Sequence, residues 1–312
     1  MERARKPTAL ATTPGLPPQP QVTLTDSNAR LTATLPTGES IDILLHGATI
    51  LSWKDAAGRE NFWLSDAAKL DGSGAARGGI PIVFPVFGTS DGHGAEKLPQ
   101  HGFARNSRWE FLGKSTSEAA KEGVKLDFGL SSQNLSDDVR AQWPYTFGLL
   151  YSVTLDRGSL NTTLVVTNDG DVPFEFQTLL HNYFRVDDIE KVTVKGFEDA
   201  PYVDKADQFK TKTQAGAVTF AGETDSVYTP AQGPGHPLVI EEDGKPRFRI
   251  VRDNLEDAVV FNPWVDKARS MGDFEPKDGW KKMLCVEPGS VSKWQTLEKG
   301  DAFEAAQTIY LV

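Results

Sequence analysis

Two side chains capable of proton transfer stand at the ends of apolar runs. His181 lies in FEFQTLLHNYFRV, where Phe174, Phe176, Leu179, Leu180, Tyr183 and Phe184 predict a strand largely withdrawn from water. A polar ring in such a place needs a partner. It is either a hydrogen-bonded core histidine or an acid or base facing a cleft, because imidazole titrates near neutrality. Glu287 follows the apolar run Met283 to Val286 and directly precedes Pro288-Gly289. That carboxylate is either a solvated strand end or a base held at the rim of a pocket. Asp225, in ETDSVYTP, reads as a turn or cap residue or as a polar ligand. His93 and His236 lie among turn residues, and His46 ends an apolar strand, which suits a structural role.

A second chemical signal runs from Arg77 to Trp109. RGGIPIVFPVFG is followed by LPQHGFARNSRW, so an apolar, proline-interrupted run carries cationic residues at both ends. Pro81 and Pro85 remove backbone donors and keep the run from acting as an ordinary central strand, so it must line something. Gly78 and Gly79 beside Arg77, and Gly102 after His101, allow close approach of backbone. A guanidinium is a permanent cation whose forked donors match phosphate oxygens. Arg77 and Arg105 therefore fit an anionic small molecule, the alternative being ordinary surface ion pairs.

The elements that must position these groups are strands. Short alternating runs such as Val22 to Thr25, Ile41 to Leu45 and Leu160 to Val166 are separated by turn clusters. Asp169-Gly170 and Asp243-Gly244 each read as a hairpin turn, the first joining Val165-Val166-Thr167 to Phe174 to Gln177, the second joining Leu238 to Ile240 to Phe248 to Val251. Helical signals are confined to the stretch after Ser136 and to Trp264 to Met271. The pattern predicts an all-β fold, a large antiparallel sandwich of two sheets, as one domain over residues 21–312. Residues 1–20, rich in Thr, Pro and Gly, read as a disordered extension, with a cleaved targeting peptide as the minority reading. The polar segment 266–282 reads as a lid or as plain surface. Trp143, Tyr145, Trp264 and Trp280 could form a stacking platform for a ligand or belong to core and rim.

Composition narrows the functional classes. The 312 residues carry 33 basic and 43 acidic side chains, a net charge of −10, which argues against nucleic acid or an anionic membrane as partner. An anionic substrate then needs a local cationic pocket. No run approaches the roughly 18 apolar residues of a membrane span. The lone Cys285 excludes an internal disulfide framework and favours a reducing compartment, with the cytoplasm as the expected location and a buried thiol as the expected state. No Gly-rich phosphate loop and no Cys or His spacing of a metal site is present, so neither a nucleotide nor zinc is expected. A monomer is the default expectation.

Five motifs, RGGIPIVFPVFG, LPQHGFAR, LLHNYFRV, ETDSVYT and CVEPGSV, stand in this order and at these separations. Together they resemble the glucose-6-phosphate 1-epimerases, hexose-6-phosphate mutarotases related to the aldose 1-epimerases, over roughly residues 22–312. The resemblance implies a β-supersandwich of the galactose-mutarotase type, a cofactor-free reaction and a phosphorylated hexose, chiefly glucose 6-phosphate, as substrate. It makes His181 and Glu287 the catalytic pair and gives Asp225 the sugar hydroxyls. Arg77, Gln100, His101 and Arg105 are placed around the phosphate and ring.

Exchange of α and β anomers requires ring opening, rotation about C1–C2 and closure on the other face. One group takes a proton from O1 and another gives one to the ring oxygen. The expected arrangement is Glu287 as base toward O1 and His181 as acid toward the ring oxygen, on opposite sides of the anomeric centre. Two other classes stay open: an aldose 1-epimerase for free sugar, which would not need two arginines, and a sugar-binding protein without catalysis, which would not need both proton-transfer groups.

Overall fold

The computed structural model describes residues 18–27, 29–115 and 123–312. Most of the expected extension, residues 1–20, lies outside them. The strands form antiparallel ladders in three sheets of four, eight and nine strands. The two large sheets are the expected sandwich; their buried faces meet through pairs such as Phe176 with Phe303, ring centroids 5.3 Å apart, and Phe184 with Phe248 at 4.8 Å. The small sheet, from Gln21–Thr25 to Thr49–Lys54, adds Leu31, Ile41, Ile43 and Trp53 to the same core.

Burial patterns explain which sheet carries chemistry. In the nine-stranded sheet Val124–Ser131 and Ser159–Asn168 alternate buried and half-buried residues along their whole length, as a sheet with one wet face must. In the eight-stranded sheet Met283 to Val291 is buried without a break, so both faces of that strand are withdrawn from water. One face is packed on the core and the other lies under a hollow.

The two expected helices are present as Asp137–Gln142, capped by Ser136 accepting from the Val139 N–H, and Trp264–Ser270. Asp243-Gly244 closes the hairpin between Leu238–Glu242 and Lys245–Asp253, with positive φ at both turn residues. Asp169-Gly170 does not close one. Ser159–Asn168 already pairs on both edges, with Phe147–Asp156 and Ala302–Leu311, so the chain crosses to Phe174–Leu180 in the other large sheet. An Asp-Gly pair marks a tight turn without fixing which strands it joins.

Segment 266–282 is neither a free lid nor plain surface. Phe274 is buried and stacks on Trp63 at 4.7 Å, the Ser65 hydroxyl donates to the Asp273 carbonyl at 2.7 Å, and Asn262 donates to the Trp280 carbonyl at 2.8 Å. Trp143 is core, edge-on to Phe84 and Phe174. No helix among the described residues is long and apolar enough to cross a membrane.

Candidate active site

The hollow is a cavity of about 260 Å³ on the exposed face of the eight-stranded sheet. Register builds its floor: Val259 and Glu287 lie opposite one another on neighbouring strands, and Asp225 lies opposite Phe261 one step along. The proline-interrupted run forms the facing wall. After the two-residue strand Ile82–Val83 it turns outward, and Phe87 enters the cavity lining. Two glycines permit this path. A Cβ on Gly79 would fall 1.9 Å from the Ile50 carbonyl oxygen, and one on Gly102 would fall 2.1 Å from that of Phe84.

Six of the seven sequence-predicted residues line the cavity: Arg77, Gln100, His101, His181, Asp225 and Glu287. Arg105 stands behind it, with Nη2 donating to the Gln100 carbonyl at 2.9 Å and a buried Nε that has no partner among the described residues. Sequence reasoning missed Lys205 and Lys267, which line the wall and reach Asp225 at 3.2 and 3.9 Å. Nothing in the turn sequence PYVDKADQF sets Lys205 apart from a solvated lysine. Tyr183 and Asp273 were also missed. The Tyr183 hydroxyl accepts from Arg77 Nη1 at 3.3 Å, and Asp273 takes the Arg77 fork at 3.1 to 3.2 Å.

His181 and Glu287 are buried neighbours, 7 and 1 % exposed, with Nδ1 and Oε1 3.4 Å apart. They stand side by side, whereas the sequence reading set them on opposite sides of the anomeric centre. Their contact is off the hydrogen-bonding direction, and His181 Nδ1 and Glu287 Oε2 are both buried without partners among the described residues. The His181 ring stacks on Tyr183, 4.6 Å between centroids and 6° between planes, which fixes its tilt. Glu287 is not a solvated strand end, because Pro288 and Gly289 continue the strand.

Burial acts on both groups in the direction of neutrality. It pushes Glu287 well above the ordinary carboxylate range, Asp225 adding to the effect and Lys205 and Arg105 opposing it. It pulls His181 well below the ordinary imidazole range, and His101, Arg105 and Arg77 pull the same way. His101 is driven down to about 2 by burial and then by Arg105, Lys205 and Arg77. Its Nδ1 accepts from the Gly88 N–H at 3.1 Å, so the neutral ring carries its proton on Nε2. His101 lies edge-on to His181 at 5.9 Å.

The buried Cys285 thiol joins this group. Its sulfur and one ligand-type atom each of His181 and Glu287 all lie within 4.8 Å of one another. The burial expected of Cys285 is present. With a proton on Glu287, the lining presents three cations, Arg77, Lys205 and Lys267, and the carboxylate of Asp225, while Asp273 and Glu223 pair with Arg77 and Lys267 from outside the lining. A chain of net charge −10 thus sets three cations around a proton-transfer pair, each held by a carboxylate.

Comparison with known proteins places this chain in a family. The family model described as aldose 1-epimerase matches residues 30–310. A protein of Cenchrus ciliaris, provisionally named glucose-6-phosphate 1-epimerase, is 37% identical over 264 residues, covering 83% of this chain and 78% of the relative. An Escherichia coli protein with the same provisional name is 36% identical over 267 residues, covering 85% of this chain and 84% of its own. The crystal structure of a protein of Salmonella typhimurium provisionally named a mutarotase superposes with a TM-score of 0.80 at 30% identity, covering 98% of each chain. The chain belongs to the aldose 1-epimerase family.

Proposed function

We propose that this protein interconverts the α and β anomers of hexose 6-phosphates, chiefly glucose 6-phosphate, by acid/base-catalysed opening and closing of the ring. The observation that carries the reading is the buried contact of His181 with Glu287 at 3.4 Å, on the floor of a cavity walled by Arg77, Lys205 and Lys267. O1 and the ring oxygen are bonded to the same carbon, so two neighbouring groups can serve both. Glu287 takes the proton of O1 while His181 protonates the ring oxygen. Closure on the other face runs both transfers in reverse.

Side-by-side placement gives the pair one proton and two positions for it. Glu287 ionised with His181 protonated, and Glu287 protonated with His181 neutral, are tautomers of one state, and burial favours the neutral form in the free site. Asp225, held by Lys205 and Lys267, and Gln100 meet ring hydroxyls. His101, with its proton on Nε2, donates to sugar oxygen. Arg77 and the two lysines attract the phosphate, and Arg105 adds charge from behind.

The names of the Cenchrus ciliaris and Escherichia coli relatives support the phosphorylated substrate. One-dimensional magnetisation-transfer NMR on the anomeric protons tests it. Exchange of glucose 6-phosphate is accelerated above its spontaneous rate at enzyme concentrations that leave glucose unaffected. Equal acceleration of both sugars, per active site and at equal concentration, would assign the chain to free aldoses instead.

A further inference from the structure

The ladder between Phe174–Leu180 and Met283–Leu297 breaks where the proton-transfer pair sits. Backbone pairing runs through Thr178 opposite Ser290 and Leu179 opposite Gly289, then resumes with Tyr183 opposite Cys285. His181 and Asn182 occupy the gap, facing Val286 and Glu287. Across it one side chain makes the connection: Asn182 Nδ2 donates to the Val286 carbonyl at 2.9 Å. Asn182 adjoins His181, and Val286 adjoins Glu287.

Asn182 is itself held from the other large sheet. Its Nδ2 donates to Gln307 Oε1 at 2.8 Å, and Gln307 Nε2 donates back to Asn182 Oδ1 at 2.9 Å. Both amides are buried, 0 and 1 % exposed, in the apolar interior of the sandwich. Two buried amides there give stability no advantage over aliphatic side chains of similar volume, which would need no partners. What aliphatic side chains cannot do is fix the spacing of two strands where their own hydrogen bonds are missing.

We propose that Asn182 and Gln307 are positioning residues that set the distance and angle between His181 and Glu287. This rests on the proton-transfer roles given above. Each group must be held in line with the sugar oxygen it serves, and displacement by about 1 Å can cost about a hundredfold in rate.

The test is the double variant Asn182→Leu/Gln307→Leu, in which neither side-chain amide is orphaned and only the Val286 carbonyl loses its donor. The expected result is a cooperative melting transition near that of the native protein, kcat for glucose 6-phosphate lowered about 10- to 100-fold and KM within about twofold. The pH profile of kcat also shifts, because the proton is no longer shared at the native separation. Gln307→Met, which leaves the Asn182 bond to Val286 intact, falls between the two and serves should the double variant not fold. Native kcat and pH profile in either folded variant would overturn the proposal. Glu287→Gln, assayed alongside, separates the two ideas: if it alone keeps native kcat, the proton-transfer roles fail and the positioning claim fails with them.

Discussion

Replacing Glu287 by Gln removes one proton-transfer group while keeping its shape. Each such transfer is worth about 10² to 10⁴ in rate, or about 2.7 to 5.4 kcal/mol of barrier. The structural cost is small for a specific reason. Glu287 is 1 % exposed, its Oε2 has no partner among the described residues, and burial holds the carboxyl toward its protonated form. Gln is the neutral isostere of that form. Leaving a carboxylate ionised in such a place costs several kcal/mol, so at pH 8 the variant unfolds at the same or a higher denaturant concentration than the native protein. Loss of rate with retained or increased stability is the signature expected. Anomer exchange is read by magnetisation transfer on glucose 6-phosphate, corrected for the spontaneous rate, with denaturant unfolding on the same samples. A folded Glu287→Gln enzyme within a factor of about three of native kcat refutes the assignment of Glu287 as a proton-transfer group.

Arg105→Ala is expected to raise KM for glucose 6-phosphate by about two- to tenfold, because it removes a charge behind the cavity and the donor to the Gln100 carbonyl, with a smaller effect on any residual activity toward glucose. Lys205→Met should act in the same sense and make KM less sensitive to salt, because it removes a cation from the cavity wall itself. An equal effect on both sugars, in either variant, would move the phosphate elsewhere. His101 tests the electrostatics through stability. Its folded value of about 2 lies below the unfolded value of 6.5, so its contribution is complete above pH 6.5 and is lost as pH falls toward 2. Below pH 6.5 that loss is about 1.4 kcal/mol for each pH unit. His101→Asn, which tolerates the positive φ of 67° there, should flatten the fall in unfolding free energy between pH 6.5 and 5.5 by about 1 kcal/mol, the interval beginning at the unfolded value itself. Identical slopes in the two proteins would contradict the buried neutral state.

Alternation and turn residues made the sandwich legible, since a period of two survives in strands such as Ser159–Asn168 whatever their partners. Pairing was less so. Asp169-Gly170 gives the same local signal whether the next strand folds back or crosses to another sheet, and the choice is made by ladders formed with residues more than a hundred positions away. His181 and Glu287 were readable because a titratable group at the end of an apolar run is a local anomaly. Lys205, Lys267 and Asp273 carry no such mark. Their importance comes from which wall the chain brings beside the cavity, and a charged residue in a polar segment looks the same wherever that segment lands. The side-by-side placement of the pair was equally hidden, because it depends on which distant strand is brought opposite His181 and in what register.

That placement bears on why the proton-transfer groups can be buried so deeply. Ring opening, on the proposed roles, moves a proton from O1 to the ring oxygen through the pair, and closure returns the pair to its starting tautomer. Protons are neither taken from water nor released to it over a full cycle. Access of solvent is therefore no requirement of the chemistry, whereas low polarity around the pair is an asset: it strengthens the field of Arg77, Lys205 and Lys267 on an anionic substrate. It also raises the carboxyl and lowers the imidazole, so that both groups rest in their neutral forms before substrate binds. Exposing the pair should undo both effects at once. Phe87→Ser, which opens the wall beside it, is expected to lower kcat and to weaken binding together, and a change in binding alone would show that burial serves only to hold the substrate.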